Sequence, residues 1–279
     1  MTEEQVVSLR EKCREIRYSL MDMLGDLGMG HVGGCLSIVE ALVTVYYAHM
    51  RIDPADPAKE GRDRFVLSKG HAGPTLYAVL ADQGFFPKEM LYTLNRPGTS
   101  LPSHADMLRT PGVDMTTGSL GQGFSCATGI AMGARLKQDV ADVYTILGDG
   151  ESQEGQIWEA ALYAAQMKLD NLIAFTDYNG LQIDGTVSEV NGLEPLDKKW
   201  EAFGWHVTTV DGHDLREIDT AIREAKAITG RPSMILLRTV KGKGVSFVEA
   251  AGTGNHNMPL SPEQRQMALA ELARGGVQA

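Results

Sequence analysis

Two apolar runs, at 143–147 and 172–175, flank a segment rich in Ala, Leu and Met at helical spacing, 157–167. A strand, a helix and a second strand in that order leave little choice of fold. Parallel neighbours need a crossover of this kind, and the crossover is right-handed. The two strand ends then lie side by side. Just past them stand Asp149, in Gly148-Asp149-Gly150-Glu151, and Asn179, in Asp177-Tyr178-Asn179-Gly180. Ligands of open α/β sheets bind outside the carboxyl ends of the strands. A carboxylate and an amide oxygen beside glycine backbone suit a hard cation such as Mg2+, which prefers oxygen and often bridges to phosphates. Asp, Asn and Gly also populate ordinary turns, so these two residues alone leave both readings open.

The alternation extends along the chain. Strands are expected at 64–68, 205–210 and 234–239, and helices at 74–82, 124–137, 195–203 and 214–228. Such alternation predicts an α/β fold, a mostly parallel sheet with helices on both faces. The 279 residues carry no repeat or linker, so a single domain spanning 1–279 is expected. A surface helix over 2–24 precedes a loop at 28–34 that is too glycine-rich for regular structure. Ser37 and Glu40 have capping-box spacing and should open a helix through His49. Another helix, with Pro at its first turn, is expected at 87–95. Segments 96–118 and 180–194 read as long loops, a kind that usually carries function or is disordered. A last helix at 261–272 precedes a tail, 275–279, expected to fray.

Net charge −10 speaks against nucleic acid as the main partner. It leaves room for a small phosphorylated ligand held by a local site. The acidic start is unlike an export signal, and no apolar run is read as reaching the ~18 residues of a membrane helix. Cys13, Cys35 and Cys126 are odd in number and in no paired motif. A disulfide framework and a cysteine zinc site are therefore not expected, and a cytoplasmic location fits.

Four of the seven histidines, His31, His71, His104 and His256, fall in loops marked by glycine or proline. Imidazole can hold phosphate as a cation and relay protons near neutral pH. Their spacing does not suit a histidine zinc site. His49, His206 and His213 read as structural or surface groups. Gly118-Ser119-Leu120-Gly121-Gln122-Gly123 leads into a helix, whose amides could hold an anion; a tight turn would use the same glycines. It is not the GxGxxG fingerprint that a nicotinamide dehydrogenase would need after a strand. Lys69, Lys241 and Lys243 could supply charge to an anion or stand solvated. Trp158, Trp200 and Trp205 are assigned to packing.

Together these motifs resemble a family. Gly148-Asp149-Gly150, thirty residues before Asn179, is similar to the thiamine diphosphate signature. With Gly30-His31-x-Gly33, Ser68-Lys69-Gly70-His71, 117–123 and 149–155, it resembles the amino-terminal part of transketolase, over about residues 10–260. The resemblance implies thiamine diphosphate and Mg2+, with Ca2+ or Mn2+ as substitutes. It implies Asp149, Asn179 and the Leu181 carbonyl on the metal. It places His71, Gly150 and His256 on the diphosphate, with Gly118, Leu120, Glu151 and Asn179 also on the cofactor. His31, His104 and His256 would face the sugar and move its protons. Ser119 and Asn257 depart from residues common in the family, Pro and Gly. Nothing resembles the family's second domain, which binds the pyrimidine ring and carries a catalytic glutamate. The resemblance therefore implies half of a split transketolase, moving a two-carbon ketol unit between sugar phosphates. It would be inactive alone and would work with a C-terminal partner chain, in an α2β2 heterotetramer. A component of another thiamine diphosphate enzyme, 1-deoxyxylulose-phosphate synthase-like or 2-oxo acid dehydrogenase-like, is the close alternative.

Overall fold

The computed structural model describes residues 1–275. Five strands form one parallel sheet: β1 (Arg64–Leu67), β2 (Val143–Gly148), β3 (Leu172–Tyr178), β4 (His206–Asp211) and β5 (Ser233–Arg238), in the spatial order β1-β2-β3-β5-β4. β2 and β3 are direct neighbours, and Gly148 pairs with Asp177. Asp149 and the 177–179 segment therefore leave the sheet side by side.

The central strands are buried on both faces, and their two-residue period divides the core. Phe65, Tyr144, Ile146, Ile173, Phe175, Ile235 and Leu237 pack to one side. There they meet α1 (Glu3–Leu27), α3 (Val39–Thr44), α4 (Gly73–Gln83) and α8 (Leu215–Ala227). Val66, Val143, Leu147, Leu172, Ala174 and Leu236 pack to the other. That layer holds α5 (Gln122–Leu136), α6 (Gly155–Gln166) and α7 (Leu196–Ala202), with Trp200 and Trp205 fully buried among them. α9 (Pro262–Ala273) packs on α1. Strands covered on both sides read as continuous apolar runs, which is why their positions are plain in the sequence.

Several expectations are corrected. Residues 28–34 are not all loop: Met29–Gly30 pairs with Met258–Pro259, and α2 (Val32–Leu36) is helical. The Ser37–Glu40 capping box does not form. Ser37 Oγ donates instead to Asp177 Oδ2 at 2.7 Å, and Glu40 faces Arg17 and His213. α3 ends in a π-helical turn, Val45–His49. Lys88–Thr93 is a 3-10 segment rather than an α-helix. The expected loop after Asn179 contains a small hairpin, Leu181–Gln182 with Gly185–Thr186, and a helical turn, Val187–Asn191. The window Val32–His49 does reach 18 residues at mean hydropathy 1.3, contrary to the reading of its length. It is 83% buried within the fold, where its apolar side chains pack on the sheet. The tail expected to fray lies, from 276 on, outside the described residues.

Candidate cofactor site

The site sits at the carboxyl end of the sheet. Asp149 follows β2, and its carboxylate is 2% exposed. Oδ1 accepts from the Gly150 amide at 2.8 Å, and Oδ2 from the Gly180 amide at 2.6 Å, beside Asn179. Burial, and then the nearby Asp177 carboxylate, push Asp149 up to about 6. Lys69 pairs directly with Asp177 rather than with Asp149, so Asp149 has backbone amides but no ammonium as a hydrogen-bond partner. Asn179 Oδ1 accepts from the Leu181 amide at 3.1 Å. The Leu181 carbonyl accepts from Lys241 Nζ at 3.1 Å, and that ammonium lies 3.2 Å from His256 Nδ1.

The four loop histidines come together. The His31 ring lies 5.5 Å from His71, 5.8 Å from His104 and 5.4 Å from His256, and His71 lies 5.1 Å from His256. Asn257, the departure beside His256, is exposed and leaves the ring in the cluster. Burial is the main cause that lowers all four pKa values, with Lys69 and Lys241 adding to it at most of them; His256 falls to about 4. These shifts favour the neutral imidazoles near pH 7, the form that can accept a proton. The positive charge belongs to Lys69 and Lys241, both buried, the second lowered to about 8 by burial and by Lys69. Lys243 offers only its backbone carbonyl, to Arg17.

Glycine lets the loops touch. A Cβ on Gly33 would stand 2.1 Å from Asn255 Oδ1, and one on Gly70 would stand 2.7 Å from the Gly118 nitrogen. The first contact seats the helix after His31 against the residue before His256. The second seats the Gly118 turn on the loop of His71. Leu120 on that turn is 38% exposed.

Glu151, which the resemblance places on the cofactor, is held by protein donors in this structure. Its carboxylate is 2% exposed and accepts from Ser68 Oγ at 2.5 Å, the Gly121 amide at 2.9 Å and the Gly148 amide at 3.0 Å. Burial outweighs these donors and leaves it above the usual carboxylate range. It ties the Gly118 turn to β1 and β2, with its oxygens turned inward. Glu151→Gln loses acceptors that an amide nitrogen cannot replace. The expected result is a KM for the cofactor raised ~10-fold with kcat little changed, read by titrating the cofactor in steady-state assays.

Sequence patterns gave no such role to Asp177, Thr239 and Asn255, and read Ser37 as a helix cap, yet all four hold these loops in place. An acid inside the apolar β3 is the available signal, since a buried carboxylate needs partners. Among the described residues no three His, Cys, Asp or Glu side chains form a metal cluster. The oxygen set here, one carboxylate, one amide and one carbonyl, is of another kind and suits a hard cation. A cavity of about 1380 Å3 lies elsewhere, lined by Arg17, Glu40, His213, Arg238 and Lys243. Val240 and Gly244 also line it, whereas Lys241, on the same loop, meets His256 in the cofactor site.

A buried acid without a direct ion pair, two buried ammonium groups and glycine backbone at adjacent strand ends define a cofactor-binding α/β protein suited to a cation and a polyanion. The family model "Transketolase, thiamine diphosphate binding domain" matches residues 9–272. The 6-deoxy-6-sulfo-D-fructose transketolase subunit SqwG of Clostridium sp. (strain MSTE9) is 56% identical over 273 residues, 98% of this chain and 99% of that one. An apulose-4-phosphate transketolase subunit of Phocaeicola vulgatus is 38% identical, over 96% of this chain and 95% of its own. Transketolase from Leishmania mexicana superposes with a TM-score of 0.88 at 30% identity, over 95% of this chain and 41% of that one. The chain belongs to the transketolase family, as its thiamine diphosphate binding part. Its cofactor is thiamine diphosphate with a divalent cation.

Proposed function

We propose that this chain is the diphosphate-binding subunit of a two-subunit transketolase. The convergence of Asp149, Asn179 and four histidine rings at one end of the sheet carries the reading. Asp149, Asn179 and the Leu181 carbonyl would hold Mg2+, with Lys241 released from that carbonyl to face the diphosphate. His71, Gly150 and His256 would also meet the diphosphate, and Gly118 and Leu120 would line the cofactor. Thiamine diphosphate, when bound, supplies the carbanion-stabilising chemistry. The protein's part is to orient it and to move protons. His31, His104 and His256, neutral in this pocket, can each accept a proton from a sugar hydroxyl and return it.

The substrate is a ketose with an anionic tail, and an aldose receives the two-carbon unit. A sulfonated ketose is supported by the relative at 56% identity, and a phosphorylated one by the relative at 38%. The second chain would bring the pyrimidine-binding domain and its glutamate, in an α2β2 assembly. Full-length relatives more than twice as long support that division. The free cysteines Cys13, Cys35 and Cys126 support a reducing cytoplasm.

The purified chain with Mg2+ and thiamine diphosphate should show no ketol transfer from either a sulfonated or a phosphorylated ketose. Adding the partner should restore it, with the preferred donor identifying the tail. Transfer by the chain alone would overturn the two-subunit reading.

A further inference from the structure

An asparagine can meet a cation only through its amide oxygen, because the other face of the same group is a double donor. The backbone favours one face only through long contacts: the Leu181 amide donates to Oδ1 at 3.1 Å, and the Asp177 carbonyl lies 3.5 Å from Nδ2. Here Asn179 Nδ2 donates to Asp177 Oδ2 at 2.9 Å. An ionised carboxylate only accepts, so it can hold the NH2 and never the oxygen. Oδ1 is thereby turned away from it, toward the Leu181 amide.

Asp177 is itself fixed from several sides. Its side chain is fully buried and accepts from Lys69 Nζ at 2.5 Å, Ser37 Oγ at 2.7 Å and Thr239 Oγ1. These donors come from the end of β1, the junction of α2 and α3, and the end of β5. Four donors, Lys69, Ser37, Thr239 and Asn179, converge on its two oxygens, and one of them is a buried ammonium, so the carboxylate meets all its side-chain partners as an acceptor. Its backbone carbonyl also accepts from the Asp149 amide at 3.2 Å.

We infer that Asp177 is a positioning residue for the cation site: its carboxylate turns the Asn179 amide oxygen outward, and its backbone holds Asp149 beside it. The inference rests on the reading of Asp149 and Asn179 as cation ligands. Asp177 acts through them and touches neither metal nor cofactor.

Asp177→Asn tests it. An amide at 177 offers both a donor and an acceptor, so it no longer dictates the face of Asn179. The readout is Mn2+ binding to the cofactor-saturated protein, followed by the electron paramagnetic resonance signal of free Mn2+, which needs no turnover. The expected result is a half-saturating Mn2+ concentration raised ~10- to 100-fold. Ser37→Ala and Thr239→Val each remove one bond to the same carboxylate and leave the Asn179 contact; they should keep the wild-type value. If Asp177→Asn fails to fold because Lys69 is stranded, the double variant Lys69→Met/Asp177→Asn carries the same expectation. Wild-type Mn2+ binding by the folded Asp177 variant overturns the inference, and so does an equal loss in the two controls. Unchanged Mn2+ binding in Asn179→Ala would instead overturn the underlying reading of the site.

Discussion

Asp149→Ala is expected to weaken Mg2+-dependent cofactor binding ~100-fold or more, the upper end for losing a group from a metal site, while the apo fold survives. The two halves of this result have separate causes. Asp149 follows β2, and its carboxylate accepts from Gly150 and Gly180, on the two loops that meet there. Without it the cation has no anionic ligand on this side. The same carboxylate is buried and stands near Asp177, and both facts disfavour its charge. Removing it relieves that repulsion, so the apo melting temperature should hold or rise. Ligand binding adds RT ln(1 + [L]/Kd) to stability. The wild type should therefore gain melting temperature with Mg2+ and thiamine diphosphate, and Asp149→Ala should not. Calorimetric titration gives the affinity directly. Wild-type affinity in the variant would remove Asp149 from the cation site.

This expectation is within reach of the sequence because strand ends are legible. The apolar runs at 143–147 and 172–175 are buried on both faces, and that burial writes itself into composition. The residues just past them, Asp149 and Asn179, then have a known place. Four loop histidines can be selected by their glycine and proline neighbours, and the rings do converge. What sets their chemistry is not legible. The lowered imidazole pKa values come from burial and, for all but His104, from lysines as well; Lys69, for one, acts on His256 from 187 positions earlier in the chain. Ser37 and Glu40 have the local spacing of a capping box, yet Ser37 bonds Asp177, 140 residues away. A local motif lost to stronger tertiary partners, since two buried carboxylates needed donors. The helix at Val32–Leu36 is hidden by glycines that read as loop. Gly33 is there because Asn255 leaves no room for a Cβ. The hairpin after Asn179 has two residues per strand, too few for any period to show. Regular burial thus leaves a local record in the sequence, whereas pairings between distant loops do not.

The largest stability effect should come from a second buried pair, behind the site. Arg17 on α1 is 6% exposed and grips Glu40, with Nη1 2.6 Å from Oε1 and Nη2 2.7 Å from Oε2. Its Nε donates to the Lys243 carbonyl at 3.0 Å. His213 Nδ1 lies 3.1 Å from Glu40 Oε2, and its Nε2 accepts from the Val240 amide at 2.8 Å. The group therefore anchors the loop that carries Lys241 into the cofactor site. Arg17→Met strands a buried carboxylate and should cost ~3–5 kcal/mol at pH 7. The dependence on pH gives the sharper check. Burial alone would raise Glu40, but Arg17 and His213 more than reverse it and bring it to about 2, from an ordinary value of 4.5. A depressed carboxylate contributes stability that is present above its unfolded pKa and lost as pH falls through its folded one. In the wild type that contribution, on the order of 3 kcal/mol, is lost between pH 4.5 and about 2. In Arg17→Met burial prevails, Glu40 titrates above its ordinary range, and its protonation relieves the damage. The gap in melting temperature should thus be widest near pH 7 and narrow toward pH 4. Arg17→Met/Glu40→Gln, with no charge to strand, should recover most of the loss and show a flat pH profile. A single-variant gap that stays constant from pH 7 to pH 4 would mean that lost packing of the Arg17 stem, rather than a stranded Glu40, accounts for the effect.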